Sequence, residues 1–281
     1  EPGYCNRIIT YSEMGEHEKA EEMFYLAQQL KSKCPLCYYN IGNSLFARKL
    51  YDRAIWCWQQ TRELDAEHPQ IEYRIAQAYW AKNDTVRARE YFLQELRRNP
   101  GDVEVLLDTG ILLLERNELD SALEKFHRIL ELEPEHAPAH HYLGEIHLYR
   151  GKFSQALESF HQALKLNPNI QGSHYRLGEC YWKLGQMANA REHLLEEWNR
   201  SPNQPDILLD LGCLLDRIGQ RQEAMKCFER VLDLEPDDER AYQNLSLCYY
   251  QSGLLEQGID LSLSVLDFNE DNVAALQNLA F

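Results

Sequence analysis

The chain has 281 residues, of which 44% are hydrophobic and 26% are charged, and this composition is typical of a folded protein. No apolar run approaches the roughly 20 residues that a membrane-spanning helix requires. The formal net charge of −16 disfavours sequence-independent binding of nucleic acid, which depends on Lys and Arg near phosphates. It equally disfavours docking on anionic lipid surfaces. An acidic surface would attract a basic protein segment, although the same acidity could serve solubility alone.

A pattern of two amphipathic helices joined by a turn recurs along the chain with a period of 34 residues and no insertions. Residues 137–170 show the unit most clearly. Gly144 lies on the apolar stripe of the first helix, and Gly151 marks the turn. Ala156 and Phe160 lie on the apolar stripe of the second helix. Such a hairpin exposes too much apolar surface to be stable alone, so the pattern predicts a stack of hairpins.

Columns of equivalent residues run through the repeats, and each has a physical reason. Small residues let helices approach closely, and a bulky residue is expected to fill the gap between one hairpin and the next. Gly and Asn suit a turn with positive φ, and proline stops the second helix. The small columns are Gly42, Ala76, Gly110, Gly144, Gly178, Gly212, Ser246 and Ala20, Ala54, Ala88, Ala122, Ala156, Ala190, Ala224, Gly258. The bulky column is Phe24, Trp58, Phe92, Phe126, Phe160, Leu194 and Phe228. The turn column is Gly15, Lys49, Asn83, Asn117, Gly151, Gly185, Gly219 and Gly253, and the prolines are Pro100, Pro134, Pro168, Pro202 and Pro236.

These columns resemble the consensus of the tetratricopeptide repeat (TPR) family, which has Gly, Tyr, Ala, Phe, Ala and Pro at these positions. The resemblance implies an all-α fold, a right-handed superhelical solenoid of antiparallel helix pairs, as a single array over residues 1–281. The implied repeats are 1–34, 35–68, 69–102, 103–136, 137–170, 171–204, 205–238 and 239–272, with 273–281 as the truncated first helix of a ninth. Since residues 273–281 still carry an apolar stripe, we expect the natural protein to continue, or this face to pair with a second copy.

The first helices of TPR arrays face the concave side, so the resemblance implies which positions line a groove. Counted from the start of each repeat, these are positions 2, 5, 6, 9, 12 and 13. The predicted ligand-binding residues are Tyr39, Asn40, Asn43, Tyr73, Arg74, Gln77, Trp80, His141, Glu145, Tyr175, Arg176, Glu179 and Trp182. Aromatic faces beside amides and Arg can hold a peptide backbone and bury a side chain. Under the competing interpretation these residues bind no ligand. The aromatic residues of the first half would then pack between repeats, and the acidic residues of the second half would form a solvated charged face.

Two known groove chemistries of the family are not predicted here. Some TPR domains clamp a C-terminal carboxylate with a Lys at position 5, but no Lys or Arg occupies that position in any repeat. Others line the groove with asparagines at position 6, and here Arg74, Asp108, Tyr142, Arg176 and Asp210 interrupt such a ladder.

The eight cysteines are interpreted as reduced thiols, mostly buried in helices. Cys34-Pro-Leu-Cys37 is the only Cys-x-x-Cys pair, which is half of a structural zinc site, and no second pair follows at finger spacing. His141 and Glu145 are one helical turn apart, and a local hydrogen bond is favoured over a metal ion. The sequence therefore predicts no metal, no cofactor and no catalytic residue.

The function predicted from these observations is a non-catalytic scaffold that binds a peptide or protein segment in its groove. One alternative is a self-assembling structural module, associating through the terminal repeats. Another is the recognition portion of a larger enzyme whose catalytic domain lies outside this chain. The expected partner is a protein or peptide with a basic segment, without nucleic acid or membrane insertion. The acidic charge and free cysteines favour a cytoplasmic location.

Overall fold

The computed structural model of the protein describes residues 2–29 and 34–279. Over these two stretches the chain forms α-helices joined by short turns, without any β-strand. The helices are α1 (Pro2–Glu13), α2 (His17–Gln29), α3 (Pro35–Ala47), α4 (Tyr51–Leu64), α5 (Ile71–Ala81), α6 (Thr85–Arg98), α7 (Val103–Glu115), α8 (Leu119–Leu132), α9 (Ala137–Tyr149), α10 (Phe153–Leu166), α11 (Ser173–Lys183), α12 (Met187–Arg200), α13 (Pro205–Arg217), α14 (Arg221–Leu234), α15 (Glu239–Gln251), α16 (Leu255–Phe268) and α17 (Val273–Leu279). The predicted all-α class is confirmed. Within these stretches no helix has the length and apolarity to cross a membrane.

The contacts divide the chain into two compact units, Glu1–Glu135 and His136–Phe281. In the first unit α1 pairs with α2, α3 with α4, α5 with α6 and α7 with α8, and each hairpin packs on the next. In the second unit the pairs are α9 with α10, α11 with α12, α13 with α14 and α15 with α16, and α17 packs on α16. The division falls within one residue of the predicted junction between the fourth and fifth repeats. The predicted ninth first helix spans 273–281; within it the structure has α17 (Val273–Leu279), and residues 280 and 281 lie outside the described residues.

The turn inside every hairpin adopts the left-handed conformation that the sequence predicted. The φ angles are 74° at Gly15, 61° at Lys49, 62° at Asn83, 59° at Asn117, 68° at Gly151, 76° at Gly185, 82° at Gly219 and 75° at Gly253. Lys49 is the member of this column for which a positive φ is least favourable, because its Cβ approaches the backbone. The turn column is therefore confirmed at all eight positions.

The interior of most hairpins depends on a small residue facing a bulky one. A Cβ added at Gly144 would lie 2.7 Å from Cε1 of Phe160, which is closer than carbon atoms can pack. Ala156 and Phe160 are both fully buried. The ring therefore packs against the glycine of its own hairpin, whereas the sequence was interpreted as placing it between hairpins. Glycine is required here because the helix axes come too close for a side chain.

Two first helices begin later than the others. Most first helices have 13 residues, and in α7 the Asp102 side chain caps the N-terminus by accepting from the Val105 amide at 3.2 Å. In contrast, α5 and α11 have 11 residues each. They follow residues with positive φ, Gln70 at 58° and Gly172 at 77°. The Gln70 side chain forms no capping hydrogen bond, and glycine has no side chain to form one.

The eighth repeat replaces the ring-on-glycine contact with a polar one. Ser246 and Ser262 occupy the small and bulky columns, and their hydroxyls hydrogen bond at 3.1 Å. Leu255, Ile259 and Leu263 are exposed along α16. This repeat thus buries less apolar volume than its neighbours.

Candidate functional site

A hydrogen-bonded network joins the first helices of three consecutive repeats in the first unit. Nε of Arg74 donates to the Tyr39 hydroxyl at 3.4 Å, and Nη1 of Arg74 donates to Oε1 of Gln77 at 3.1 Å. Nε2 of Gln77 and the hydroxyl of Tyr73 both donate to Oδ2 of Asp108, at 3.2 and 2.9 Å. These five residues, from α3, α5 and α7, form what we call the first-unit network. The structure thus brings Tyr39, Tyr73, Arg74 and Gln77 together as predicted groove residues.

Burial decides what each member of this network can offer a ligand. Tyr73 is only 1% exposed, and burial, reinforced by the charge of Asp108, raises the pKa of its hydroxyl. Burial also raises the pKa of Asp108, against the opposing effect of hydrogen bonds from Tyr73 and Gln77. Tyr73 therefore anchors Asp108 rather than presenting a surface. Tyr39, Arg74 and Gln77 are partly exposed and can reach a ligand.

Trp80 lies one helical turn beyond Gln77 and is partly exposed. Its Nε1 donates to Oε2 of Glu115 at 2.8 Å, and its ring meets that of Phe92 edge-on at 6.0 Å. Asn43 is partly exposed on α3, whereas Asn40 is only 7% exposed. The amide nitrogen of Asn40 has no hydrogen-bond partner among the residues that the structure describes. The indole of Trp80 is thus held in one orientation beside the first-unit network.

In the second unit the guanidinium group of Arg176 lies between two carboxylates. Nε of Arg176 donates to Oε1 of Glu145 at 3.0 Å, and Nη1 donates to Oε2 of Glu179 at 3.1 Å. Burial alone would lower the pKa of Arg176, but Glu145 and Glu179 outweigh it and raise the pKa. We call Glu145, Arg176 and Glu179 the second-unit cluster. It carries one more negative than positive charge, which would favour a basic group of a partner.

His141 does not form the local hydrogen bond predicted from the sequence. Its Nε2 is 3.7 Å from Oε1 of Glu145, which is too far for a hydrogen bond. Its Nδ1 is instead 2.7 Å from the hydroxyl of Ser173, on α11. The prediction was wrong because Arg176 takes the Glu145 carboxylate and Ser173 offers His141 a closer partner. Burial lowers the pKa of His141, which favours the neutral ring.

The two remaining predicted residues of the second unit are aromatic and partly exposed. Burial, together with the charge of Asp210, raises the pKa of Tyr175 to about 12. The Trp182 ring has Nζ of Lys183 at 4.4 Å and the guanidinium of Arg217 at 5.6 Å from its centroid. Such cation–π contacts hold the indole in place and leave one edge at the surface.

The helices α5 and α11 carry two copies of one motif, which the sequence analysis overlooked. Residues 73–80 read YRIAQAYW and residues 175–182 read YRLGECYW. Each copy of the motif has a Tyr-Arg pair, a Gln or Glu one turn later, and a Trp a further turn on. Aligning the sequences of the third and sixth repeats alone would have revealed this motif. It does not stand out when all eight repeats are aligned, because the other repeats lack it.

A second surface in the first unit lies on helices that the family resemblance did not place in the groove. A hollow of about 410 Å³ opens between α2 and α4. Phe24, Ile41 and Leu45 form part of its apolar lining, and its rim includes Tyr25 and Trp56, which are 51% and 50% exposed. Sequence reasoning missed it because Tyr25 and Trp56 fall outside the repeat columns.

The interpretation of all eight cysteines as reduced thiols is wrong for two of them. Cys5 and Cys37 are joined by a disulfide, although they are 32 residues apart. Cys34 lies beside them, whereas Cys57, Cys180, Cys227 and Cys248 are buried free thiols. The pairing was missed because the sequence analysis considered only the nearby pair Cys34 and Cys37.

The fold resembles several solved structures at low sequence identity. A tetratricopeptide repeat protein from Parabacteroides merdae is 18% identical, with a TM-score of 0.70, over 88% of this chain and 99% of that one. The protein pilF of Pseudomonas aeruginosa is 20% identical, with a TM-score of 0.61, over 74% of this chain and 94% of that one. YrrB, described as a TPR protein with an unusual peptide-binding site, is 24% identical, with a TM-score of 0.53, over 68% of this chain and 98% of that one. These likenesses concern the fold alone.

Family models give the stronger assignment. No curated protein sequence matches the chain significantly. Models described as tetratricopeptide repeat match residues 39–103, 107–149 and 143–205, and a second such model matches residues 205–238. These matches cover more than half of the chain and agree with the helix pairs described above. The chain belongs to the tetratricopeptide-repeat family.

Proposed function

We propose that each unit binds an extended segment of a partner protein on its first helices, and that the chain acts as a scaffold without catalysing a reaction. The observation that carries the proposal is the duplicated motif of α5 and α11. Trp80 and Trp182 occupy equivalent positions and are each held in place, by Glu115 or by two cations. A fixed, partly exposed indole beside hydrogen-bonding groups is typical of a binding hot spot.

Preorganisation supports a binding role for the polar residues. Arg74 and Gln77 are connected to each other and to neighbouring repeats by the first-unit network. Side chains that are already ordered lose little conformational entropy when a ligand arrives. A peptide backbone offers carbonyl and amide groups at regular spacing, which such amide and guanidinium groups can pair with.

The two copies of the motif differ in charge. No carboxylate among the described residues forms an ion pair with Arg74, whereas Arg176 is paired with both Glu145 and Glu179. The first-unit network therefore suits a backbone carbonyl or an acidic group of the partner. The second-unit cluster suits a segment with a Lys or Arg, and its association rate should fall as salt rises.

Selection from a random displayed-peptide library, followed by calorimetry with the selected peptides, tests the proposal. We expect two classes of peptide, one lost on Trp80→Ala and the other on Trp182→Ala, with affinity reduced about tenfold or more in each case. Trp56→Ala is the matched control, because Trp56 is 50% exposed on α4, outside both motifs. If the selected peptides bind the double variant Trp80→Ala/Trp182→Ala with the same affinity as the unchanged chain, the proposal is contradicted.

Self-association is a second candidate, favoured by one observation. Leu255, Ile259 and Leu263 are exposed along α16, and such rows of apolar side chains often mark interfaces. Light scattering over a range of concentrations decides it. A mass that doubles with concentration and returns to one chain in Leu263→Glu would support this candidate, and a constant single-chain mass would exclude it.

A further inference from the structure

Three cysteine sulfurs meet where α1 packs on the start of α3. Cys5 and Cys37 are each 3% exposed and joined by the disulfide, and Cys34 lies next to them. Sγ of Cys34 is 3.0 Å from Sγ of Cys5, and all three sulfurs lie within 4.8 Å of one another. The disulfide uses two of these sulfurs and leaves the third without a chemical role. The cluster is separate from both motifs of the proposed function.

The position of Cys34 at the start of α3 suits a metal ligand that acts together with Cys37. Cys34 is the N-cap residue of α3, with Pro35 as the first helical residue. The backbone amide of Cys37 donates to Sγ of Cys34 at 3.3 Å. The spacing Cys-x-x-Cys is also the one by which adjacent thiolates bind a single metal ion.

An unpaired donor supports the same interpretation. Asn40 occupies position 6 of its repeat, and equivalent residues bond to position 5 or 9 of the preceding repeat, as Arg74 does to Tyr39 and Arg176 to Glu145. In the second repeat the preceding position 5 is Cys5. The buried amide nitrogen of Asn40 has no partner among the described residues. A hydrogen-bond donor at this position suits a thiolate at Cys5, as in the outer shell of a metal site.

We propose that Cys5, Cys34 and Cys37, when reduced, bind one thiophilic metal ion of the Zn²⁺ or Cu⁺ class through three thiolates. Thiolates are the ligands that select these ions. Around a zinc ion the sulfurs would be about 3.8 Å apart, so Cys5 and Cys34 must separate by less than about 1 Å. No other Cys, His, Asp or Glu of the described residues joins this group. The ion is therefore three-coordinate, as suits Cu⁺, or keeps a fourth position open to water or an external thiol, as suits Zn²⁺.

The metal-bound and disulfide states exclude each other. A dithiol reductant gives two electrons and two protons to the Cys5–Cys37 bond, becomes a cyclic disulfide itself, and leaves two protein thiols. The arriving ion then displaces the protons of the three thiols, so binding strengthens as pH rises. The cluster thereby connects the first two repeats through a metal under reducing conditions and through a covalent bond under oxidising conditions.

The full chain, reduced without oxygen and freed of metal, is titrated with Co²⁺ as a spectroscopic probe for the zinc site. We expect a sulfur-to-cobalt charge-transfer band that saturates at one equivalent and is displaced by Zn²⁺. A parallel titration with Cu⁺, followed by native mass spectrometry, shows which ion binds more tightly. Oxidised protein, in which the disulfide is intact, should take up neither ion.

Cys34→Ser is the informative variant, since Ser is itself a good N-cap and keeps α3 intact while removing one thiolate. Its affinity for the metal should fall at least about tenfold. Cys213→Ser is the matched control, because Cys213 is a partly buried free thiol outside the cluster; its metal uptake should equal that of the unchanged chain. Cys5→Ser provides a second test from α1, with circular dichroism showing that helicity is retained. Absence of both the cobalt band and Cu⁺ uptake in the reduced chain, or full affinity in both cluster variants, would overturn the proposal.

Discussion

The carboxylate of Glu197 accepts a hydrogen bond of 3.2 Å from the backbone amide of Tyr175. Glu197 belongs to the last turn of α12 and is only 2% exposed, yet its partner lies in the first turn of α11. Glu95 accepts in the same way from the backbone amide of Tyr73, in α5. In these two repeats the second helix therefore provides the cap that an N-cap side chain provides in α3, α7, α9 and α15. This accounts for how α5 and α11 can begin two residues late.

Replacing Glu197 with Ala should destabilise the chain by about 0.5–2 kcal/mol, because the first turn of α11 loses its acceptor. Glu197→Gln should cost less, since an amide oxygen can still accept. The free energy of unfolding in urea measures both. Glu196→Ala is the control, because the side chain of Glu196 is 43% exposed and forms an ion pair with Arg200 at the surface. Equal losses in Glu196→Ala and Glu197→Ala would exclude a capping role.

Glu95 should make stability depend on pH in an unusual direction. Burial raises its pKa above the ordinary value of 4.5, although the Tyr73 amide acts in the opposite sense. The folded chain therefore holds the proton more tightly than the unfolded chain, and this contribution is lost as pH rises from about 4.5 through the raised pKa. Glu95→Gln should flatten the curve of unfolding free energy against pH in that window. Glu90→Gln, at an exposed position of the same helix, should leave the curve unchanged.

The repeat columns predicted the fold because each column has one physical cause that acts alike in every repeat. Gly144 and Phe160 face each other, as do the equivalent residues of other hairpins, and the period of 34 residues suffices to locate these pairs. The late starts of α5 and α11 were not predicted, since Gln70 has no sequence preference for a positive φ. The signal was present in Glu95 and Glu197, acidic residues at a position that is apolar in most repeats.

The candidate site was predicted less completely. The position of a residue in its repeat indicates which helix face it occupies, but it does not indicate how deeply its side chain is buried. Tyr73 and Tyr175 occupy the same position, yet Tyr73 is 1% exposed while Tyr175 is only partly buried. The Tyr73 hydroxyl donates to Asp108 of the next repeat at 2.9 Å, a contact that the repeat position alone does not predict. The contact between Cys5 and Cys37 depends likewise on packing between α1 and α3, which local motifs do not show.

The left-handed turn at Lys49 predicts a stabilising substitution. Its φ is 61°, a conformation that costs a residue with a Cβ about 1 kcal/mol or more and costs glycine little. Lys49→Gly should therefore raise the free energy of unfolding by up to about 1 kcal/mol, after the extra entropy of the unfolded chain is subtracted. The reciprocal change Gly151→Lys should lower it by a similar amount, because a Cβ at Gly151 meets only open space and strain alone acts. Thermal unfolding of both variants checks the pair, and changes of the same sign would refute the argument.

Enlarging Ala156 should overpack its hairpin. Ala156 is fully buried on α10, so the added atoms of Leu would force neighbouring side chains from their rotamers. We expect a loss of about 1–3 kcal/mol in unfolding free energy. Gln155→Leu adds similar apolar volume at an exposed position of the same helix and should be close to neutral. An unchanged melting transition in Ala156→Leu would contradict the assignment of this column to the hairpin interior.

Arg176 should matter more for stability than an exposed arginine in a comparable ion pair. Its side chain is 29% exposed between Glu145 and Glu179, which are 14% and 24% exposed, so Arg176→Met leaves two partly buried carboxylates without their donor. The expected loss is about 1–3 kcal/mol. Introducing Glu145→Gln into Arg176→Met should restore part of it, because the unpaired charge is removed, and a double-mutant cycle isolates this coupling. Arg128→Met is the control, since the pair of Arg128 with Glu131 is exposed on both sides and should contribute less than about 1 kcal/mol. If the two arginine variants unfold at the same urea concentration, the second-unit cluster contributes nothing to stability, and the positions of its carboxylates do not depend on Arg176.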